Sequence, residues 1–168
     1  MFKLITKTIA AVAIVSVALF GSANAKTLKI ETHFTASSPN GEVAAQFAKN
    51  VEEFSGGSLK IEMFYSSSVT GKSAEVFNSA QTGIIDCDMT GAGYQTGKNA
   101  AFQFAGDVMG GYDNPYQQYD FLKFPGAQEA VDALYNKYGM TLIGWWIPGH
   151  ESLISSKPIP DVASIKDF

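Results

Sequence analysis

Three early segments have the apolar patterning of β-strands. Residues 27–33 (TLKIETH) alternate apolar and polar side chains, and residues 59–65 (LKIEMFY) alternate before they become wholly apolar. Residues 84–90 (IIDCDMT) begin with an apolar pair and are predicted as a buried strand. Each segment is short and is followed by polar or glycine-containing residues, as expected for strands that end in loops.

The intervals between these strands show helical spacing. Ser38 and Pro39 provide an N-cap and a first-turn proline for a helix that ends at Gly56. One stripe of this helix is predicted to pack on a sheet, and it consists of Val43, Phe47, Val51 and Phe54. A shorter helix is predicted over residues 74–81. Strands separated by such helices predict parallel βαβ units, which bind ligands beyond the carboxyl ends of the strands.

The later part of the chain predicts two more helices and two more strands. Asp113-Asn114-Pro115 indicates the start of a helix over about 116–121, and residues 124–126 (FPG) are predicted to break the chain. A helix over 127–138 would bury one face, formed by Ala130, Val131, Leu134 and Tyr138. Residues 140–147 (MTLIGWWI) and 152–155 are predicted as strands.

The amino terminus has the pattern of an export signal. Lys3 and Lys7 precede a 12-residue uncharged stretch, residues 9–20, and Ala23-Asn24-Ala25 offers a small-x-small cleavage site. A membrane anchor is the alternative, but a spanning helix needs roughly 20 apolar residues. The sequence therefore predicts a signal peptide over residues 1–25 and a periplasmic, unanchored chain that begins at Lys26.

Composition argues against several classes of function. Removing the 25 signal residues from 168 leaves 143, with 10 lysines against 16 acidic residues and a net charge of −6. That charge disfavours nucleic acid as a partner. All 12 basic residues are lysines, so the two-pronged carboxylate clamp that arginine provides is missing. Cys87 is the only cysteine and is expected to be a packed core thiol.

Motifs for metals, nucleotides and covalent catalysis fail on spacing. One cysteine and two histidines cannot assemble a common zinc site. The glycines of residues 91–98 (GAGYQTGK) fit neither the phosphate-binding loop nor the dinucleotide fingerprint. Asp86 and Asp88 share one face of the third strand, where they could share a proton, bind a metal or remain a solvated pair. We therefore expect no cofactor, no metal site and no enzymatic activity.

Ligand contacts are expected at the carboxyl ends of the three strands. His33 follows the first strand, Tyr65 follows the second, and Gly91 and Tyr94 follow the third. Carboxyl ends of parallel strands meet at one edge of a sheet. These four residues are the candidates for binding substrate.

Several short motifs, taken in order, resemble those of one transport family. They are the export signal, Ser38-Pro39 before a helix, the segment 83–86 (GIID), and the late segments 144–146 (GWW), 155–159 (SSKPI) and 164–168 (SIKDF). Together they are similar to the N-terminal portion of TRAP (tripartite ATP-independent periplasmic) transporter solute-binding proteins. The form Trp-x-Pro-Gly at 146–149 resembles the subgroup for keto acids and other organic acids.

The resemblance implies both a fold and a function. The fold would be an α/β lobe of the type II periplasmic-binding-protein kind, with a mostly parallel sheet flanked by helices. It would cover residues 26–168 and end in the hinge-strand region, where His150 and Glu151 would approach the ligand. The function would be capture of a keto acid or dicarboxylate for a TRAP-type membrane permease. The alternatives are the solute-binding protein of an ATP-driven importer and an exported α/β enzyme.

Two departures from the family pattern accompany the resemblance. Such proteins are about twice as long, with a second lobe, and they pin the substrate carboxylate with an arginine that would come after Phe168. We therefore expect a chain truncated before the second lobe is complete, with weak binding on its own.

Overall fold

A computed structural model of the chain describes residues 25–106, 108, 110–147 and 154–167. The chain forms two compact units, one ending at Thr90 and the other beginning at Gly91. No helix in the described ranges has both the length and the apolar character needed to cross a membrane. The predicted signal peptide, residues 1–25, lies outside the described residues except for Ala25, so its cleavage stays a prediction.

The first unit contains a three-stranded parallel sheet. Strands β1 (Lys26–Thr32), β2 (Leu59–Phe64) and β3 (Cys87–Met89) are arranged in the order β2-β1-β3. Their neighbouring pairs are all parallel. The predicted parallel sheet is confirmed, and the carboxyl ends of the three strands lie at one edge.

Helix α1 (Pro39–Phe54) joins β1 to β2 and begins as predicted. The Ser38 side chain accepts a hydrogen bond from the backbone N–H of Gly41 at 3.1 Å, and Pro39 occupies the first turn. Of the predicted stripe, Phe47 and Val51 are half-buried, whereas Val43 is 57% and Phe54 83% exposed, so the prediction is wrong for these two positions. The fully buried positions of the helix are Gly41 and Ala44. Gly41 lies close to the backbone of the loop that precedes the helix.

The third strand begins three residues later than the pattern predicted. Helix α2 (Val76–Gln81) is followed by Gly83 at φ +76°, and the backbone N–H of Ile84 returns to the carbonyl of Ser79 at 2.9 Å. Ile84 therefore belongs to the end of the helix and not to the strand, and it is 58% exposed. Because residues 83 and 84 complete the end of α2, β3 starts later than the predicted strand.

The two helices of this unit pack beside different strands. Helix α1 contacts β2, and α2 contacts β3. The apolar residues that become buried in this unit are Ile30, Ala44, Val76, Phe77 and Ile85. Ile30 is in register with Met63 on one side and Cys87 on the other, so these three side chains share one face of the sheet.

The second unit is helical in its described part. Two 3₁₀ segments, Ala92–Gln95 and Ala100–Phe104, precede helices α3 (Pro115–Lys123) and α4 (Pro125–Asn136), and a third 3₁₀ segment covers Val162–Asp167. The predicted helix start at Asn114 is confirmed.

The boundary between α3 and α4 corrects the predicted break. Phe124, extended at φ −64° and ψ 129°, ends α3 and caps α4, so α4 begins at Pro125 and not at 127. A proline and a glycine fit the first turn, where no backbone N–H has a helical partner. Of the predicted face, Val131 and Leu134 are buried, whereas Ala130 is exposed.

The late predicted strand over residues 140–147 does not form. Residues 140–147 have no regular secondary structure, although their pattern is strongly apolar. A strand needs a neighbour to satisfy its backbone groups, and no described segment pairs with this one. Residues 154 and 155 are likewise irregular, while 152 and 153 lie outside the described residues.

Candidate functional site at the carboxyl edge of the sheet

His33 and Tyr65 stand at the carboxyl ends of two neighbouring strands. His33 directly follows β1 and Tyr65 directly follows β2, and both are half-buried. The backbone N–H of Ser66 donates to the carbonyl of Phe34 at 2.9 Å, and that of Ser67 donates to Thr32 at 3.1 Å. The two strand ends are therefore joined into one rim, as the parallel topology predicted.

The imidazole of His33 is packed against its neighbour. Its ring centroid lies 3.9 Å from that of Phe34, with the planes inclined at 38°. Burial lowers the pKa of His33 below its ordinary value, because desolvation disfavours the charged form. The ring is consequently neutral at neutral pH and offers a hydrogen bond rather than a charge to a ligand.

The loop after β2 has an unusual backbone. Ser66 and Ser67 both have positive φ, 57° and 50°. Residues other than glycine seldom occupy this left-handed region of the backbone. Ser67 is buried and its carbonyl accepts from the N–H of Gly71 at 2.7 Å. Such a conformation persists only where surrounding contacts impose it, and it is found preferentially near functional sites.

Glu31 holds this loop in place, and the sequence pattern did not reveal it. Its Oε1 accepts hydrogen bonds from the backbone N–H groups of Val69 at 2.6 Å and Thr70 at 3.3 Å. The residue is completely buried, although strand alternation placed it on the polar side. A glutamate inside an alternating strand signals solvent exposure, and only the folded loop turns that position into an interior one.

Asp88, on β3, lies beside Glu31 of the neighbouring strand β1. Burial raises the pKa of Asp88 to about 6. The Glu31 carboxylate also raises this pKa, whereas the hydroxyl and the amide of Thr90 lower it. Asp86, on the same face, is exposed and accepts from the backbone N–H of Lys29 at 2.8 Å. The paired aspartates of the sequence are thus in two different environments.

Gly91 and Tyr94 lie together at the start of the second unit. The backbone N–H of Tyr94 donates to the carbonyl of Gly91 at 3.2 Å within a 3₁₀ turn, and the Tyr94 side chain is 46% exposed. Gly91 has ordinary φ and ψ of −71° and 134°, so its conformation does not demand glycine. His150 and Glu151 lie outside the described residues, and their roles stay predictions.

Metal and thiol chemistry receive no support from the described residues. Within them no group of three or more His, Cys, Asp or Glu side chains could hold a metal ion. Cys87 is a free, half-buried thiol, less buried than the core position predicted. Burial, followed by the charges of Asp86 and Asp88, raises its pKa, which suppresses the reactive thiolate.

The sequence matches one protein family over most of its length. The model of the bacterial extracellular solute-binding protein family 7 matches residues 30–168. Among curated proteins there is no match.

Solved structures of TRAP solute-binding proteins are similar to this chain. One from Rhodobacter sphaeroides, in an apo open state, is 28% identical in sequence and has a TM-score of 0.66. The similarity covers 71% of this chain and 38% of the Rhodobacter chain. Two others show the same fold. One from Pseudoalteromonas atlantica with bound sodium and pyruvate is 21% identical (TM-score 0.63, 69% and 35% covered). One from Bordetella bronchiseptica with calcium and picolinate is 22% identical (TM-score 0.62, 68% and 34% covered).

These observations define the class and then the family. A parallel sheet flanked by helices, with the fold of TRAP solute-binding proteins over about 70% of the chain, is a partial lobe of a type II periplasmic binding protein. The chain belongs to the bacterial extracellular solute-binding protein family 7, as its match over residues 30–168 shows. This is a family of receptors and not of enzymes. The chain spans 38% of the length of the Rhodobacter relative.

Proposed function

We propose that this chain contributes one ligand-facing rim to an extracytoplasmic receptor that captures a small organic acid for a TRAP-type membrane permease. The match to family 7 over residues 30–168 is the observation that carries the proposal. The periplasmic location follows from the same family and from the predicted signal peptide.

An organic acid is the ligand class that the relatives support. The ligands named for three of them are pyruvate, picolinate and pyroglutamic acid, and each carries a carboxyl group. In the first unit the rim offers the neutral imidazole of His33 and the hydroxyl of Tyr65. In the second unit Tyr94 offers an exposed side chain. These groups form hydrogen bonds with an anion, and they do not supply a compensating charge.

Weak binding is therefore expected from the chain itself. A carboxylate at an open rim stays hydrated, so each hydrogen bond is made in a high dielectric. A bidentate arginine would add charge-assisted bonds worth roughly 1.5–3 kcal/mol each, but the chain has no arginine. Affinity in the millimolar range is the expectation.

Amide NMR of the isotope-labelled chain tests both ligand class and location. Pyruvate and picolinate are titrated alongside pyruvamide and picolinamide, which keep the shape and lose the charge. We expect the acids to shift resonances of residues 33–35 and 65–67, and the amides to leave them in place. Equal responses to acid and amide, or shifts confined to other residues, would reject the proposed ligand class or rim.

Two further experiments distinguish this proposal from an exported enzyme and from the binding protein of an ATP-driven importer. An exported enzyme would convert a ligand during prolonged incubation, which one-dimensional NMR of the ligand detects. An ATP-driven importer would deliver ligand to a reconstituted permease only with ATP, whereas a TRAP permease requires an ion gradient. Uptake that follows the gradient and not ATP supports the TRAP assignment.

A further inference from the structure

Glu31 and Asp88 are direct neighbours across two parallel strands. Their Cα atoms are register partners between β1 and β3, and adjacent strands lie about 4.8 Å apart. Register partners in a parallel pair project to the same face of the sheet. Two carboxyl groups therefore lie side by side, and the loop that follows β2 covers that of Glu31.

Each of these carboxyl groups has one oxygen that nothing in the described structure satisfies. Glu31 is fully buried, and its Oε2 has no hydrogen-bond partner, whereas Oε1 accepts from Val69 and Thr70. Oδ1 of Asp88 is also buried without a partner, although the nearby hydroxyl of Thr90, itself without a partner, lowers the pKa of Asp88. A buried polar atom without a hydrogen bond is costly, and two adjacent carboxylates add repulsion to that cost.

We propose that Glu31 and Asp88 form a buried proton-binding site, in which the protonated carboxyl of Asp88 donates a hydrogen bond to Oε2 of Glu31. One proton then satisfies the unpartnered oxygens of both residues and removes one of the two negative charges. Glu31 is the acceptor of this hydrogen bond because its other oxygen, Oε1, already accepts from two backbone N–H groups. Asp88 carries the proton because its environment is buried and adjoins the Glu31 carboxylate.

Other charged groups on this face do not neutralise the pair. By strand alternation the titratable side chains on the Glu31 face of the sheet are Lys29, Lys60, Glu62 and Asp86, with His33 directly after β1; Lys72 and Glu75 follow in the segment before α2. The lysines and Asp86 are exposed, and the loop over Glu31, residues 66–71, supplies backbone amides and no titratable side chain. Cys87 projects to the opposite face of the sheet.

The proton should be bound in mildly acidic solution and lost towards neutral pH. The pKa of Asp88 is raised to about 6, whereas an unfolded aspartate has an ordinary value near 3.8. Between these values the folded chain binds more protons than the unfolded one, so the free energy of unfolding decreases as pH rises through the window. Above it, two adjacent charges oppose the contact that holds Val69 and Thr70.

Carboxyl-carbon NMR of the intact chain tests the site without a mutation. We expect the Asp88 carboxyl carbon to titrate with an apparent pKa of about 6, above that of an ordinary aspartate. An ordinary titration of Asp88 overturns the proposal. So does a titration that appears only without sodium or calcium, because a metal ion would then occupy the place of the proton.

Amide exchange and a matched pair of variants test the coupling to the loop. Protection of the Val69 and Thr70 amides, corrected for intrinsic rates, should fall on the order of tenfold as pH rises through the transition. Asp88→Asn, which donates from its amide at every pH, should abolish this change. Asp86→Asn, an equal charge removal on the same face, should preserve it. A pH change that survives Asp88→Asn or disappears in Asp86→Asn contradicts the assignment.

Discussion

Gly41, in the first turn of α1, lies directly against the backbone carbonyl of Thr35. A Cβ built on Gly41 would overlap that oxygen and approach the carbonyl of Ala36 as well. The close approach lets the chain turn from β1 into the helix over very few residues. The Ser38 hydroxyl also donates to the Thr35 carbonyl at 2.7 Å, so the same oxygen takes part in the cap.

Gly41→Ala should therefore destabilise the first unit. The neighbouring atoms are backbone and cannot move aside easily, so we expect a loss of about 1–3 kcal/mol or more in the free energy of unfolding. Gly93→Ala is the control, because a Cβ there meets nothing within 4 Å. Urea unfolding followed by circular dichroism compares the two, and equal stability of both variants would contradict the packing described.

The cap of α3 gives a second prediction. Oδ1 of Asn114 accepts from the backbone N–H groups of Tyr116 at 3.0 Å and Gln117 at 3.1 Å. Asn114→Ala should cost about 1 kcal/mol of stability, whereas Asn114→Ser, which keeps a capping oxygen, should cost less. Thermal unfolding of the three proteins measures the difference; an alanine variant as stable as the parent would show that the cap contributes nothing.

The reactivity of Cys87 reports on the adjacent aspartates. Because burial and the charges of Asp86 and Asp88 raise the thiol pKa, alkylation by iodoacetamide should be slow at neutral pH and should accelerate as pH rises. Asp86→Asn removes one of these charges and should shift the rate profile to lower pH, giving severalfold faster labelling at a fixed mildly alkaline pH. Mass spectrometry follows the reaction, with Asp113→Asn as a distant control. Identical profiles for all proteins would exclude this electrostatic effect.

The proposed rim predicts which side chains affect ligand affinity. His33→Ala, Tyr65→Ala and Tyr94→Ala should each weaken carboxylate binding several-fold, because each removes one hydrogen-bonding group from the predicted ligand contacts. Tyr116→Ala, which truncates an 80% exposed tyrosine in α3, serves as a matched control for loss of an aromatic ring. Ligand titrations by NMR give the affinities, and melting temperatures separate binding from stability. If all three rim variants bind as tightly as the control, the assignment of the rim fails.

Local patterns decided much of the fold, because their physical causes are local. The Ser38 and Asn114 caps satisfy backbone N–H groups within two or three residues, so both helix starts were predictable. Alternation specified β1 and β2 to within one residue at each end. The parallel sheet followed from strands separated by helices, and with it the joining of the two strand ends after which His33 and Tyr65 stand.

Other features of the fold depend on contacts between residues that are distant in the sequence, and only the tertiary structure shows them. Glu31 looked like a solvent-facing strand position until the loop 38 residues further along covered it. Residues 140–147 had strand composition, but composition does not provide a neighbouring strand. Asp86 and Asp88 were equivalent in the sequence, and only burial beside Glu31 made one of them a candidate to hold a proton. Propensity acts over a few residues, whereas desolvation and strand pairing depend on what the rest of the chain brings near.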